Sequence, residues 1–257
     1  MSIVRAKTRA GEGGPRFGFR PGRRLDRRYI IDGFIGYGYE GEVYHLTEAS
    51  TGIERVAKFF YPDRYPDPRR SIRLARKLHG LRNCSVILQY HHHGEIRFQG
   101  EKVGYMVSDL APGRLLHELQ MEQRGKRFTP FEALHLIHPI ARGIAEMHAL
   151  RQYHGDIHED NILVERHGLG FSVQLIDLYL HPPGTSDRLH IDVVDIANLL
   201  YRLVGGPRGY GRSPQIIKEI VCGLKRQTLR RKFPNGQALC RFIERYDWQT
   251  GEARLLA

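Results

Sequence analysis

The stretch HGDIHEDN at residues 154–161 runs directly into an apolar segment that is typical of a β-strand. It places an acid, Asp156, and an amide, Asn161, five residues apart on one short loop. A second acid, Asp177, closes a later apolar run at residues 173–176. Carboxylate and amide oxygens are ligands that Mg²⁺ takes together with substrate phosphates, so this pattern predicts a magnesium-assisted phosphoryl-transfer site.

Length and composition place the chain among globular proteins. Its 257 residues suffice for one large domain or for two lobes, and 41% of them are hydrophobic. No run of about 18 apolar residues occurs and no apolar stretch follows the charged N-terminus, so neither a membrane span nor a secretory signal is expected. Three scattered cysteines, Cys84, Cys222 and Cys240, favour a reduced, cytoplasmic protein.

The formal net charge of +12 favours partners that carry negative charge. Residues 1–28 interleave glycine and proline with many basic residues and contain little that a core could bury, so we expect a flexible basic arm. A solvated tail is one interpretation of this arm, and docking to nucleic acid or anionic lipid is the other. The basic residues are Arg5, Lys7, Arg9, Arg16, Arg20, Arg23, Arg24, Arg27 and Arg28.

A glycine-rich loop follows the first predicted strand, Tyr29–Ile35. The glycines Gly36, Gly38 and Gly41 are spaced as G-x-G-x-x-G, which is a weak signal by itself. A dinucleotide-binding loop should open a helix after its last glycine, but residues 42–47 alternate like a strand. The pattern therefore predicts a β-hairpin whose loop lays backbone N–H groups over phosphates.

The next predicted strand, Glu54–Phe60, contains Val56-Ala57-Lys58. Together with Val43, the loop reads G-x-G-x-x-G-x-V, and this half of the chain resembles the protein kinase superfamily. The resemblance implies that Lys58 pairs with the phosphates of ATP and that Val43 and Ala57 contact the nucleotide. The alternative is that Lys58 extends to solvent from an edge strand.

The chain departs from the kinase pattern in the helix predicted at Ser71–Leu81. In kinases this helix presents a glutamate that pairs with the strand lysine. No acidic residue lies between Asp67 and Glu95. Either another acid, such as Asp177, holds Lys58, or the site is impaired.

Two further strands are predicted at Gln89–Phe98 and Lys102–Leu110. The end of the second strand resembles the hinge of a kinase, where the backbone contacts the nucleotide base. The resemblance implies that the backbone facing adenine is that of Asp109, Leu110 and Ala111.

The loop quoted at the outset resembles the catalytic loop of the same superfamily. The resemblance implies that Asp156 accepts the proton of the acceptor hydroxyl or orients it, and that Asn161 and Asp177 hold magnesium. Protein kinases carry arginine after the histidine and lysine two residues after the aspartate, whereas this chain has Gly155 and His158. In those two positions the loop is similar to aminoglycoside and choline phosphotransferases.

The remainder of the chain predicts helices. Thr129–Glu132 combines an N-cap, a proline at the first helical position and a glutamate three residues after the cap. Residues 214–224 and 236–246 read as two further amphipathic helices. A helix beginning at Asp192 resembles the central helix of the larger kinase lobe, with Asp192 bracing the catalytic loop. Since Asp192 follows Asp177 by only 15 residues (192 − 177), a full activation segment does not fit.

These observations predict an α+β, two-lobed protein-kinase-like fold with ATP and Mg²⁺ between the lobes. The expected organisation is a flexible arm at 1–28, an N-lobe of antiparallel sheet plus one helix at 29–110, a mainly helical C-lobe at 111–248, and a tail at 249–257. The leading function is an ATP- and Mg²⁺-dependent serine/threonine protein kinase. A small-molecule or lipid-sugar kinase and a nucleotide-binding pseudokinase scaffold stay open, and the phosphoacceptor is unidentified.

Overall fold

The computed structural model describes residues 15–64, 69–168, 170–178, 180, 185–247 and 252–253. The chain divides into two compact units. The first unit comprises Met1–Asn83 and Leu88–Gly113, and the second comprises Cys84–Ile87 and Arg114–Ala257. The boundary expected after residue 110 therefore falls three residues later, and a four-residue segment upstream belongs to the second unit.

The first unit is an antiparallel sheet with one helix. The strands follow the order β1-β2-β3-β4-β6-β5, and helix α1 lies against β5 and β6. The elements are β1 Arg24–Leu25, β2 Tyr29–Tyr37, β3 Gly41–Glu48, β4 Glu54–Phe60, α1 Arg69–Gly80, β5 Tyr90–Phe98 and β6 Glu101–Asp109.

The strand register decides which side chains share a face of this sheet. Val43 of β3 pairs with Lys58 of β4, whereas the neighbouring pair is Tyr44 with Ala57. Ala57 in turn pairs with Val107 of β6. Paired residues point to the same face and successive residues alternate, so Lys58 and Val43 lie on one face and Ala57 lies on the other.

The face that carries Ala57 is covered by the segment before β1. Phe17 and Phe19 are 7% and 5% exposed, their rings stack at 5.3 Å, and Phe19 meets the edge of Phe59 at 4.9 Å. The expectation that residues 1–28 form a flexible arm with little to bury is therefore wrong for residues 15–28, because the two phenylalanines supply a hydrophobic anchor. Residues 1–14 lie outside the described part.

A buried carboxylate ties this segment to the sheet. Glu42 is 0% exposed and accepts hydrogen bonds from the Phe17 N–H at 2.9 Å, the Tyr44 hydroxyl at 2.6 Å and the Tyr61 hydroxyl at 3.1 Å. The Arg16 N–H also donates to it. Burying a charge is costly unless donors surround it, and these four donors meet that requirement.

The second unit is mainly helical. Its strands are β7 Arg114–Leu115, β8 Ile162–His167, β9 Gly170–Leu175, β10 Tyr246–Asp247 and β11 Glu252–Ala253. Its α-helices are α2 Leu116–Glu122, α3 Pro130–Ala149, α4 Ser186–Leu203, α5 Gly206–Tyr210, α6 Gln215–Val221, α7 Arg226–Lys232 and α8 Gly236–Glu244. Strands β7, β8 and β9 form an antiparallel sheet, and β10 pairs with β11.

Helix α3 begins as the sequence predicts. The Glu132 N–H donates to the Thr129 hydroxyl oxygen at 3.3 Å, and the Thr129 N–H donates to the Glu132 carboxylate at 3.2 Å. Helix α8 packs against α3 very closely, since a Cβ added at Gly236 would lie 2.9 Å from the Ala145 nitrogen. Glycine is therefore required where these helices meet.

The basic stretch after α6 forms helix α7, which Leu229, 1% exposed, anchors to the unit. Residues 252 and 253 of the expected tail pair with β10, and the rest of that tail lies outside the described residues. Within the described residues, no helix combines the length and apolar character that crossing a bilayer demands.

The anchoring of the N-terminal segment can be tested with Phe19→Ala. Truncating a buried phenylalanine should lower the free energy of unfolding by about 3–5 kcal/mol, since contacts with Tyr44 and Phe59 are lost and a cavity is left. Chemical denaturation measures this change. The matched control is Phe34→Ala, whose side chain is 44% exposed and whose loss should cost about 1 kcal/mol. Equal losses for the two variants would contradict a buried anchor.

Candidate active site

The glycine-rich loop connects β2 to β3. The Gly38 N–H donates to the Gly41 carbonyl at 2.9 Å and closes the turn. A Cβ at Gly41 would lie 1.8 Å from the Phe59 carbonyl oxygen, whereas nothing lies within 4 Å of a Cβ at Gly38. Gly36 pairs with Val43 inside the hairpin. Gly41 is thus required by the sheet, and the open surroundings of Gly38 suit close approach of a ligand.

Lys58 projects from β4, which lies between β3 and β6. The interpretation of Lys58 as a residue of an edge strand is therefore wrong. Its Nζ donates to Glu40 Oε2 at 2.9 Å, and the side chains are only 19% and 28% exposed. Glu40 belongs to the glycine-rich loop, so the acid beside Lys58 comes from that loop and not from helix α1. The pairing of Lys58 with Asp177 stays a prediction.

The predicted nucleotide contacts on β3 and β4 need one correction. Val43 shares a face with Lys58, and its contact with the nucleotide stays a prediction. Ala57 is 0% exposed and packs into the aromatic core on the opposite face, so it does not line the same surface. Val56, two residues before Lys58, pairs with Ser108 on the Lys58 face and takes the place expected for Ala57.

The predicted hinge segment follows β6. The Asp109 N–H donates to the Gln89 carbonyl at 3.0 Å, and the Asp109 carboxylate accepts from Arg55 Nη1 at 2.8 Å. The N–H of Asp109 is therefore used within the unit, and the contact of its backbone with a base stays a prediction. The roles of Leu110 and Ala111 stay predictions.

In the second unit, the hairpin β8–β9 brings the predicted magnesium ligands to the same end. Ile162 pairs with Leu175, and the Ile176 N–H donates to the Asn161 carbonyl at 3.0 Å. Asn161 therefore precedes one strand where Asp177 follows the other. Asp177 is exposed and has φ of +59°, a left-handed conformation that aspartate tolerates better than most residues.

Asp156, Asn161 and His158 form a hydrogen-bonded group on the loop. Asn161 Nδ2 donates to Asp156 Oδ2 at 3.0 Å and to the Asp156 carbonyl at 2.9 Å, and His158 Nε2 lies 3.4 Å from Asp156 Oδ2. The hydrogen bond from His158 lowers the pKa of Asp156 below its usual value, although burial opposes this. Asp156 is therefore ionised at neutral pH.

Asp192 braces the loop as the resemblance implies. It is 0% exposed and accepts hydrogen bonds from the N–H groups of His154 at 2.9 Å and Gly155 at 2.8 Å. His148 Nε2 lies 3.0 Å from the same carboxylate. His154 is itself 0% exposed, with Nε2 3.1 Å from the Ile176 carbonyl oxygen. These contacts hold the loop from both α3 and α4.

An ion pair that the sequence does not reveal also holds this loop to α4. Arg202 Nε lies 2.8 Å from Glu159 Oε1, and Arg202 Nη2 lies 2.6 Å from Glu159 Oε2, a two-pronged geometry that orients both side chains. Burial raises the pKa of Glu159, but the hydrogen bonds and charge of Arg202, together with a backbone hydrogen bond and the charge of His158, hold the pKa below its usual value. The partners are 43 residues apart, so no local pattern links them.

Asp195 is a second acid near the loop, one turn after Asp192. Its Oδ2 accepts the Ile157 N–H at 3.4 Å. Burial raises the pKa of Asp195 to about 6, the charges of Asp192 and Asp156 add to this, and the Ile157 hydrogen bond opposes it. The loop thus rests against the buried side chain of Asp192 and against a second acid, Asp195, whose pKa is about 6.

Comparison with known proteins agrees with this geometry. Residues 29–187 match the family model described as the protein kinase domain. This match covers the glycine-rich loop, Lys58, the loop at 154–161 and Asp177. The chain belongs to the protein kinase domain family.

One curated relative is "Probable serine/threonine-protein kinase PknB" from Corynebacterium glutamicum. The two proteins are 30% identical over 143 residues, which make up 55% of this chain and 22% of the relative. The chain therefore spans less than a quarter of the length of that relative.

Solved structures of the PknI kinase domain from Mycobacterium tuberculosis share the fold. One variant superposes with a TM-score of 0.68 at 14% identity, covering 88% of this chain and 98% of that one. A second variant gives a TM-score of 0.66 over the same shares. The fold is the two-lobed kinase fold, with an antiparallel N-lobe sheet and a helical C-lobe.

The titration of Asp195 predicts how stability depends on pH. Its pKa rises from 3.8 to about 6 on folding, so the folded protein keeps a proton that the unfolded chain loses, and stability falls as pH rises from about 4 to about 6. Asp195→Asn removes this titration. At pH about 7 the wild type must bury a charged carboxylate and the variant need not, so the variant should gain stability relative to the wild type. This gain in unfolding free energy should be about 1–2 kcal/mol larger at pH about 7 than at pH about 4. The full shift would give more, but solvent screens part of it at this half-buried group.

Urea denaturation at the two pH values measures the difference. The matched control is Asp187→Asn in the first turn of the same helix, where the side chain is 70% exposed. If the unfolding free energy of Asp195→Asn differed from that of the wild type by the same amount at both pH values, the raised pKa of Asp195 would be contradicted.

Proposed function

We propose that the chain is an ATP- and Mg²⁺-dependent kinase that transfers the γ-phosphate of ATP to a serine or threonine hydroxyl of a protein. The observation that carries this proposal is the loop on which Asp156 and Asn161 are hydrogen-bonded to each other and braced by buried Asp192. The protein acceptor is supported by the name of the serine/threonine kinase relative.

The donor set at the end of the β8–β9 hairpin fits Mg²⁺. The amide nitrogen of Asn161 faces Asp156, so the amide oxygen is the atom for a metal, and Asp177 adds an exposed carboxylate. Hard oxygen donors of this kind suit Mg²⁺. When bound, Mg²⁺ would neutralise charge that develops on the phosphates.

Asp156 acts on the acceptor hydroxyl. Its lowered pKa keeps it ionised, and its side chain is 45% exposed, so an entering hydroxyl can reach it. The acceptor oxygen forms a bond to the γ-phosphorus, the bond from that phosphorus to the ADP oxygen breaks, and the hydroxyl proton passes to Asp156. The hydrogen bonds from Asn161 and His158 fix the carboxylate for this role.

The Lys58–Glu40 pair favours an active enzyme over a pseudokinase scaffold. A lysine that must pair with phosphate needs an acid that holds its extended side chain. The α1 helix contains no acid, and Glu40 supplies one from the loop itself. Glu40 is thus proposed to take the part of the missing helix glutamate.

A small-molecule acceptor is the second candidate. His158 contacts both Asp156 and Asn161. Protein kinases carry lysine at this position, and the histidine makes the loop similar to that of small-molecule phosphotransferases. Only residues 178–185 separate Asp177 from the start of α4, so little chain is available to hold a peptide. An anionic partner, nucleic acid or lipid, for the basic residues of segment 1–28 is also a proposal. Residues 1–14 of that segment lie outside the described part.

The proposal predicts that Asp156→Ala lowers phosphate transfer about a thousandfold, because the proton acceptor is lost. Purified protein is incubated with Mg²⁺, labelled ATP and cell extract, and labelled proteins are separated from labelled metabolites. The control is Glu165→Gln, a carboxylate on β8 that pairs with His167 and should keep full activity.

Label confined to metabolites would reject the protein acceptor and favour the second candidate. ATP binding without any transfer by the wild type would reject the kinase reaction and favour a pseudokinase.

The role of Glu40 predicts that Glu40→Gln lowers kcat/KM for ATP about tenfold, since Lys58 loses a charged partner worth about 1.4 kcal/mol. Steady-state kinetics with varied ATP measure the change. The control is Glu95→Gln, whose 44% exposed carboxylate pairs with Lys102. Unchanged kinetics in Glu40→Gln would show that another acid serves Lys58.

A further inference from the structure

Helices α3 and α8 bring together three side chains that belong to no part of the candidate active site. They are His138 of α3 and Cys240 and Glu244 of α8. Cys240 and Glu244 are four residues apart and so share one face of their helix. We propose that these three residues form a zinc-binding site with one coordination position open to water.

Two of the three distances between the ligand atoms match the spacing that zinc requires. In a tetrahedral site, Zn–N and Zn–O bonds of about 2.0–2.1 Å and a Zn–S bond of about 2.3 Å set neighbouring ligand atoms about 3.3–3.5 Å apart. His138 Nε2 lies 3.3 Å from Glu244 Oε1, and Cys240 Sγ lies 3.3 Å from the same oxygen. All three ligand atoms lie within 4.8 Å of one another.

The position of the cluster suits a metal that enters from solvent. The side chains of His138 and Glu244 are 38% and 46% exposed, and Cys240 is 3% exposed beneath them. The sulfur would therefore be the inner ligand, and the open position would face water.

The surrounding helices hold the ligands in place. At the other end of the contact, the Gly236 N–H donates to His148 Nδ1 at 2.9 Å, and Gly236 lies against Ala145. Helices α3 and α8 thus run antiparallel. The contact at His148 lies ten residues along α3 from His138 (148 − 138). A metal would join the helices at their second contact point.

The chemistry of the donors selects zinc over magnesium. Burial and the hydrogen bond to Glu244 raise the pKa of Cys240 to about 12, so binding must displace the thiol proton: Cys–SH and Zn²⁺ give the Zn–thiolate bond and H⁺. The charges that face the thiol are Glu244, Arg142 and Glu146. A set of sulfur, imidazole and carboxylate donors suits zinc, whereas Mg²⁺ prefers oxygen donors alone.

The test uses the full chain, freed of metal and then titrated with Zn²⁺ or Co²⁺ in the presence of excess Mg²⁺. We expect one Zn²⁺ per chain, a rise in melting temperature with Zn²⁺, and a thiolate-to-cobalt charge-transfer absorption with Co²⁺. Cys240→Ser should abolish that absorption, and His138→Gln and Glu244→Gln should each weaken Zn²⁺ binding at least about tenfold.

Matched controls separate the site from adventitious binding. Cys222→Ser removes another free thiol, and His135→Gln removes a histidine one turn earlier on α3; both should bind Zn²⁺ as the wild type does. Because Cys240 is buried, the melting temperature of each metal-free variant shows whether it folds, and Glu244→Gln changes no buried packing.

The proposal is overturned if Zn²⁺ binding is not stoichiometric, if the cobalt complex shows no thiolate absorption, or if the control variants lose binding as much as the ligand variants. The readouts are metal binding and spectra, so they stand apart from kinase activity.

Discussion

The second unit depends on the buried carboxylate of Asp192. A charge that is 0% exposed is stable only when donors surround it. The N–H groups of His154 and Gly155 donate to it from the loop. His148 must carry its proton on Nε2 to donate to Asp192, because its Nδ1 accepts the N–H of Gly236. One carboxylate therefore joins α3, α4, α8 and the loop that carries Asp156.

The first unit also contains a buried carboxylate surrounded by donors, on the face of its sheet that the segment before β1 covers. Glu42 follows the last glycine of the loop, and its buried carboxylate gathers donors from the segment before β1 and from two tyrosines. Burial and the hydrogen bond to Glu42 raise the pKa of Tyr44, so its hydroxyl stays a donor over the ordinary pH range. Lys58 lies on the opposite face of the same strands. The covered face thus supports the face that carries Lys58.

Local sequence patterns predicted the elements that depend on local physics. Alternating apolar residues located the strands of the sheet, and the capping box at Thr129 located the start of α3. The order of glycine loop, Lys58, catalytic loop and Asp177 predicted the family, which the comparison confirms. Long-range pairings were not predictable, because Arg202 and Glu159, or Phe17 and Glu42, show no spacing rule before the chain is folded.

The sequence by itself determined the fold family and the residue types of the site around Asp156, since those residues lie close together in the chain and carry their chemistry with them. The tertiary structure alone decided which side chains face each other. The strand register places the Ala57 side chain in the core and the Val56 side chain on the Lys58 face. Successive side chains of a strand point to opposite faces, so a shift of one residue moves a side chain to the other face. The turn between β2 and β3, and not helix α1, places an acid, Glu40, beside Lys58.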